Sequence, residues 1–320
     1  MPRYPIGISD FRNLRERGYL FVDTSELVGE VVREDAQILL LTRPRRFGKT
    51  LNLSMLAHFF DIRLQSRSLF EGLKVTSDEL ALQQMNSLPT VFFSFKDVKD
   101  SDWEQALLNL KSLLSELYKE WEVSLPKIRD NPAERKIFHS ITDRTAPLVD
   151  FKNALKYLLR YLHQQYHKPV LLLIDEYDVP IQSAWSQGYY EQMIDFMRVF
   201  LSAALKDNPH VYKGILTGIT RVAKESIFSG LNNLKVFSVL HEKYASYFGF
   251  TQEEVDWVVE QAQVPDPQGT KQQLRKWYNG YSFGSQTLYN PWSVLNSLAD
   301  NKFQPYWINT SSNDLIIQLV

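Results

Sequence analysis

The sequence predicts an α/β protein: a parallel sheet flanked by helices, followed by a small, mostly helical C-terminal appendage. Three observations carry that expectation. Continuous apolar runs alternate with stretches of helical periodicity. A Gly48-Lys49-Thr50 triplet sits where one apolar run gives way to a helix. Another apolar run ends on two adjacent carboxylates, Asp175 and Glu176.

Taken in order, "YLFVD" (19–23) reads as a short strand and "TSELVGEVVRE" (24–34) as a helix with Thr24 or Ser25 at its N-cap. "AQILLLT" (36–42) is apolar without alternation, the pattern of a strand covered on both faces. "TVFFSF" (90–95), "PVLLLID" (169–175) and "KGILTGI" (213–219) follow the same rule, and "LKVFSVL" (234–240) is a weaker fifth run. Helical faces lie between them. One runs through Ala106, Leu107, Leu110, Leu114, Leu117 and Trp121, a second through Ala154, Leu155, Leu158 and Leu162, a third through Met193, Phe196, Met197, Phe200 and Leu201. Beyond residue 240 the buried-strand runs stop. "TQEEVDWVVEQA" (251–262) has Thr251 and Glu254 at capping-box spacing. The expected division is therefore a core domain over 1–240 and a lid-like appendage over 241–320. The terminal "SSNDLIIQLV" reads as an apolar helix that stops without a cap, so the appendage is expected to be truncated.

Composition bounds the function. The 320 residues are 44% hydrophobic and 23% charged, with a net charge of −1, so no global field draws the chain to nucleic acid. There is no cysteine, which excludes disulfide frameworks and thiolate metal sites and fits a reducing cytoplasm. The histidines have no metal-ligand spacing, and no apolar run is long enough to span a bilayer. No membrane association is expected.

The segment Arg43-Pro44-Arg45-Arg46-Phe47-Gly48-Lys49-Thr50 leaves a buried strand and opens a helix. That is the context a phosphate-binding loop needs. A helix N-terminus offers unpaired N–H groups and a positive dipole end to an anion. Gly48 lets the backbone approach, Lys49 is placed to reach the β- and γ-phosphates, and the Thr50 hydroxyl is a Mg²⁺ ligand. Arg43 stands where the usual pattern has its first glycine, a position that only starts the turn. Arg45 and Arg46 directly precede Phe47 and add positive charge, and at least one is expected to touch phosphate or a carboxylate of the appendage. The bland reading is a solvated basic loop on a helix cap.

"VLLLIDEYD" (170–178) weighs against the bland reading, because it falls two strands later. Asp175 is placed to hold Mg²⁺ and Glu176 to polarise the attacking water; Asp178 is read as structural. Thr217, at the end of the next strand, is a candidate for the γ-phosphate or the lytic water. Arg221 has two readings, a surface ion pair and a γ-phosphate contact in its own or a neighbour's site.

Together, "PIGISDFRNLRERGYLFVDTSEL", "LTRPRRFGKTLNLSML", "LFEGL", "LLIDEYD", "TGITRVAKESIFSGLNNL", "WYNGYSFG", "LYNPWSVLNSL" and "YWINTSSNDLI" resemble the bacterial AAA-ATPase-like family, related to STAND and archaeal-type P-loop ATPases. The resemblance implies a P-loop NTPase fold of the additional-strand type, with ATP and Mg²⁺ as ligands. It implies that Arg43 is a regular feature, that a nuclease-like domain of the PD-(D/E)XK type usually follows, and that Asp23 sits near the adenine. A helix N-cap is an equal reading of Asp23. The aromatic group Trp277, Tyr278, Tyr281, Phe283, Tyr289 and Trp292 is read as appendage core, with base stacking as the alternative.

The expected function is an ATP-hydrolysing switch or motor, the N-terminal part of a longer protein. The alternative is a nucleotide-dependent interaction module with little turnover that regulates a nuclease-like or DNA-directed partner domain. The acidic pair favours hydrolysis, since a pure binding module has no need of Glu176. Acid-x-Lys fragments such as Asp97-Val98-Lys99 lack the partner strand of a nuclease site, so nuclease chemistry is not expected here. DNA contact and self-association stay open.

Overall fold

Five apolar runs become five strands of one parallel sheet: β1 Ile38–Thr42, β2 Thr90–Ser94, β3 Val170–Asp175, β4 Val211–Gly218 and β5 Leu234–Phe237, in the order β2-β3-β4-β1-β5. The computed structural model describes residues 2–125, 131–219, 227–228 and 231–307. Position in the sheet explains the composition of each run. The inner strands β1 and β3 are buried at every residue, which is why neither alternates. β2 and β5 are the edges, and both keep half-exposed positions. β4 stands between β1 and β3. Its presence there defines the additional-strand arrangement.

The chain divides into two compact units drawn from interleaved stretches. One comprises Asp35–Leu41 and Leu88–Val236, the other Met1–Glu34, Thr42–Ser87 and Phe237–Val320. In the first, the helices Trp103–Glu122, Leu148–Tyr166 and Tyr190–Leu205 bury the predicted faces, including Leu110, Leu114, Leu155, Leu158, Met197 and Phe200. Full burial of each such side chain is worth about 1.5–3 kcal/mol relative to exposure, so this core dominates the unit's stability.

The second unit holds the helix Lys49–Phe60, which leaves β1 through the loop, and the helices Gln252–Ala262, Pro267–Tyr278 and Pro291–Asp300. The capping box forms as read: Thr251 Oγ1 accepts from the Glu254 N–H while the Glu254 carboxylate accepts from the Thr251 N–H.

One local expectation is corrected and two are refined. "YLFVD" is not a strand; it makes one isolated bridge, Tyr19 to Arg3. Its apolar residues pack as loop anchors, Phe21 edge-on to Phe11 at 5.5 Å and Val22 in the core with Phe250. Ser25 takes the N-cap position of the helix Glu26–Arg33, one of the two residues read for it, but makes no side-chain bond to the helix. Ser25 Oγ accepts from the Val75 N–H, and the Thr24 hydroxyl donates to Asn52. The appendage also contains an antiparallel hairpin, β6 Asn279–Phe283 and β7 Gln286–Tyr289. Gly284 makes it possible: its φ is 56°, and a Cβ there would meet the Glu242 backbone nitrogen at 2.9 Å. The expected terminal helix lies outside the described residues.

Candidate functional site

The loop between β1 and the helix Lys49–Phe60 turns left-handed twice, at Arg46 (φ 67°) and at Gly48 (φ 78°), where Gly48 is the helix N-cap. Glycine adopts that backbone freely. At an arginine it costs on the order of 1–3 kcal/mol, so neighbouring contacts must hold it. The Lys49 ammonium folds back and donates to the carbonyls of Arg43 (3.0 Å) and Pro44 (2.8 Å), curling the loop into a ring. Thr50 is the second residue of the helix. The result is a helix N-terminus with an ammonium group and successive backbone N–H groups around one loop, a ready site for a phosphate.

Arg43 does not line this ring as a phosphate ligand. It is fully buried, and its Nη1 donates to the carbonyls of Thr42 and Phe237, both at 2.8 Å. Its guanidinium lies over the rings of Phe248 (5.1 Å) and Phe283 (5.4 Å). Burial pulls its pKa down to about 10, so it stays charged at neutral pH. Phe47 is buried against Tyr281 (4.9 Å, edge-on) and Phe283 (5.3 Å). What Phe47 can offer a ligand is its N–H.

Arg45 and Arg46 have different surroundings. Arg46 stacks on the indole of Trp292 at 4.1 Å; its contact with the C-terminal segment is to an aromatic face. A cation–π pair of this kind is worth about 0.5–2 kcal/mol, enough to offset much of the left-handed turn. Arg45 is half-buried and makes no hydrogen bond or ion pair among the described residues. Behind the loop, Asn52 Nδ2 donates to the Tyr247 carbonyl, and the Ser54 hydroxyl accepts from the Phe11 N–H. Asp23 ties two backbone segments, accepting from the N–H groups of Ser25 and Lys74.

In the other unit, β3 delivers Asp175 at its C-terminal end, with Ser94 of β2 beside it in register. The Thr217 hydroxyl of β4 donates to Asp175 Oδ1, and so does the Glu176 N–H. Two donors on one oxygen fix the plane of the carboxylate. Thr217 is fully buried, and this is the contact its hydroxyl makes. Glu176 is half-buried with a left-handed backbone, φ 52°, a second strained residue at a candidate catalytic position. Asp178 accepts from the Ile219 N–H and the Gln182 side chain, linking the exits of β3 and β4. Gly218 permits that approach, since a Cβ there would lie 2.6 Å from Asp178 Oδ1. Arg221 lies outside the described residues.

The residues that steady the loop were harder to read in the sequence. Trp292, Tyr281 and Phe283 belong to the aromatic group assigned to the appendage core, but that group splits. Tyr278 and Tyr289 are core, whereas Tyr281, Phe283 and Trp292 meet loop side chains. The signal available was the density of aromatics after a basic loop. Asn52 and Phe248 carried none.

A parallel sheet in this strand order, with a Gly-Lys-Thr loop leaving β1 and a carboxylate pair closing β3, defines a P-loop NTPase fold of the additional-strand type. Residues 5–228 match the family described as predicted AAA-ATPase, and the chain belongs to that family. It is an ATPase-like module. The chain is 29% identical over 321 residues to an uncharacterized protein in the vnfD 5′ region of Azotobacter chroococcum mcd 1, covering 99% of this chain and 56% of that protein. It thus spans about half the length of this curated relative. Among solved structures it is similar to a Walker-type ATPase of Pyrococcus abyssi, with 15% identity, a TM-score of 0.46, and coverage of 99% of this chain and 76% of the other. No helix among the described residues is long and apolar enough to cross a membrane.

Proposed function

We propose that the chain binds ATP with Mg²⁺ and hydrolyses it, as the nucleotide-driven part of a longer protein. The observation that carries this reading is the ring formed by Lys49 on its own loop carbonyls at the N-terminus of a helix capped by left-handed Gly48. A lysine held on carbonyls of its own loop can exchange them for phosphate oxygens without leaving the loop. Arg45 adds a second cation. Loop and acidic pair both leave C-terminal ends of strands in one parallel sheet, the edge where such sheets take ligands.

Thr50 and Asp175 supply a hydroxyl and a carboxylate, the hard oxygen donors that Mg²⁺ accepts alongside phosphate and water. The metal when bound neutralises developing phosphate charge. Thr217 acts on Asp175, holding its carboxylate in place, which is a positioning role. Glu176 takes the role of orienting the attacking water and accepting its proton. Lys49→Ala should leave the fold intact and remove most affinity for a fluorescent ATP analogue. Undiminished binding by that variant would exclude the loop as the phosphate site.

A second reading, a nucleotide-dependent interaction module with little turnover acting on a nuclease-like or DNA-directed partner domain, draws support from the curated relative's extra length. Binding without phosphate release would favour it.

A further inference from the structure

Three consecutive features of the phosphate loop rest on one stretch of chain, residues 237–292. Arg43 reaches the Phe237 carbonyl and the rings of Phe248 and Phe283; Phe47 packs on Tyr281 and Phe283; Arg46 stacks on Trp292. Of these, the Arg46–Trp292 pair bears on the ligand most directly. Arg46 carries the strained left-handed turn immediately before Phe47, Gly48 and Lys49, the stretch that leads into the helix N-terminus. Trp292 is itself held in place. It is the second residue of the helix Pro291–Asp300, whose N-cap Asn290 accepts from the Ser293 N–H and whose first position is proline. The helix start that carries the indole is thus anchored by its own cap.

We infer that Trp292 is a positioning residue for the phosphate loop, acting through Arg46 to keep the loop turned for nucleotide. The inference rests on the nucleotide-binding reading above and deepens it. Nucleotide affinity depends on an aromatic residue that belongs to the C-terminal segment and touches no ligand. By reciprocity, nucleotide at the loop favours docking of the helix Pro291–Asp300. That gives the C-terminal segment a means to sense occupancy.

The test is a double-mutant cycle on affinity for a fluorescent ATP analogue, with far-UV circular dichroism to verify folding. Trp292→Leu should weaken binding roughly three- to tenfold, the scale of a lost cation–π contact. Trp292→Phe, which keeps an aromatic face, should recover most of it. In an Arg46→Met background neither Trp292 change should have further effect, because its route is already cut. A merely structural role would produce losses that multiply in the double variant, and that outcome, or wild-type affinity in folded Trp292→Leu, overturns the inference. Should Trp292→Leu fail to fold, the same comparison holds with Trp292→Phe, whose smaller loss must vanish when Arg46 is Met. A wild-type chain with no affinity for the analogue removes the nucleotide reading and this inference with it, whereas multiplicative losses in a chain that binds remove only the inference.

Discussion

Arg43 illustrates how a residue can look like a ligand and serve as a brace. Its two hydrogen bonds to carbonyls are worth about 1.5–3 kcal/mol each as charged bonds, while its two buried nitrogens without partners among the described residues, Nε and Nη2, cost about 1–3 kcal/mol apiece. These terms nearly cancel, so its contribution is to place the loop. Arg43→Met should change unfolding free energy in urea by no more than about 1.5 kcal/mol, yet weaken ATP affinity measurably. A large stability loss with normal affinity would contradict this. Gly218 makes a complementary case. Gly218→Ala sets a methyl group against Asp178 and the Tyr177 ring, 2.6 and 2.7 Å from the added carbon. Overpacking of this kind costs about 1–3 kcal/mol. It should also displace the turn carrying Glu176, so ATP turnover should fall more than ATP affinity.

At the scale of elements, the strands and the loop-to-helix junction are legible in the sequence because burial on both faces leaves a continuous aliphatic signal. β1 and β3 are the clearest instances, and the edge strand β5 is weaker because only Phe237 of its residues is buried. The helix Gln252–Ala262 is legible from its capping box. Thr251→Ala should cost about 0.5–2 kcal/mol, read as a lower urea midpoint at unchanged slope. The hairpin β6–β7 is not legible. Its strands have five and four residues, bend at an irregular register, and depend on glycine at 284. Such features carry too little periodicity to separate from a helix end. "YLFVD" fails for the opposite reason: its apolar residues are anchors for packing, and no neighbouring strand pairs with them. The candidate site divides likewise. Glycine, lysine, threonine and paired carboxylates announce themselves by spacing. Trp292 and Phe283 do not, because their role depends on a tertiary contact more than two hundred residues from the loop.

On the scale of the whole molecule, the chain is an ATPase-like module whose C-terminal segment packs on the Gly-Lys-Thr loop, and it spans 56% of a longer relative. If Arg221 reaches a neighbour's nucleotide, phosphate release per chain should climb with protein concentration, and Arg221→Ala chains should be partly rescued by mixing with Glu176→Gln chains. A flat concentration curve without rescue would confine Arg221 to its own chain. The central claim, that this chain hydrolyses ATP through its acidic strand end, is tested most directly by phosphate release with Mg²⁺ from wild type and Glu176→Gln, with ATP binding measured on the same samples. Turnover should be lower by roughly two to four decades in Glu176→Gln, with ATP affinity retained; equal turnover in the two proteins would contradict that claim.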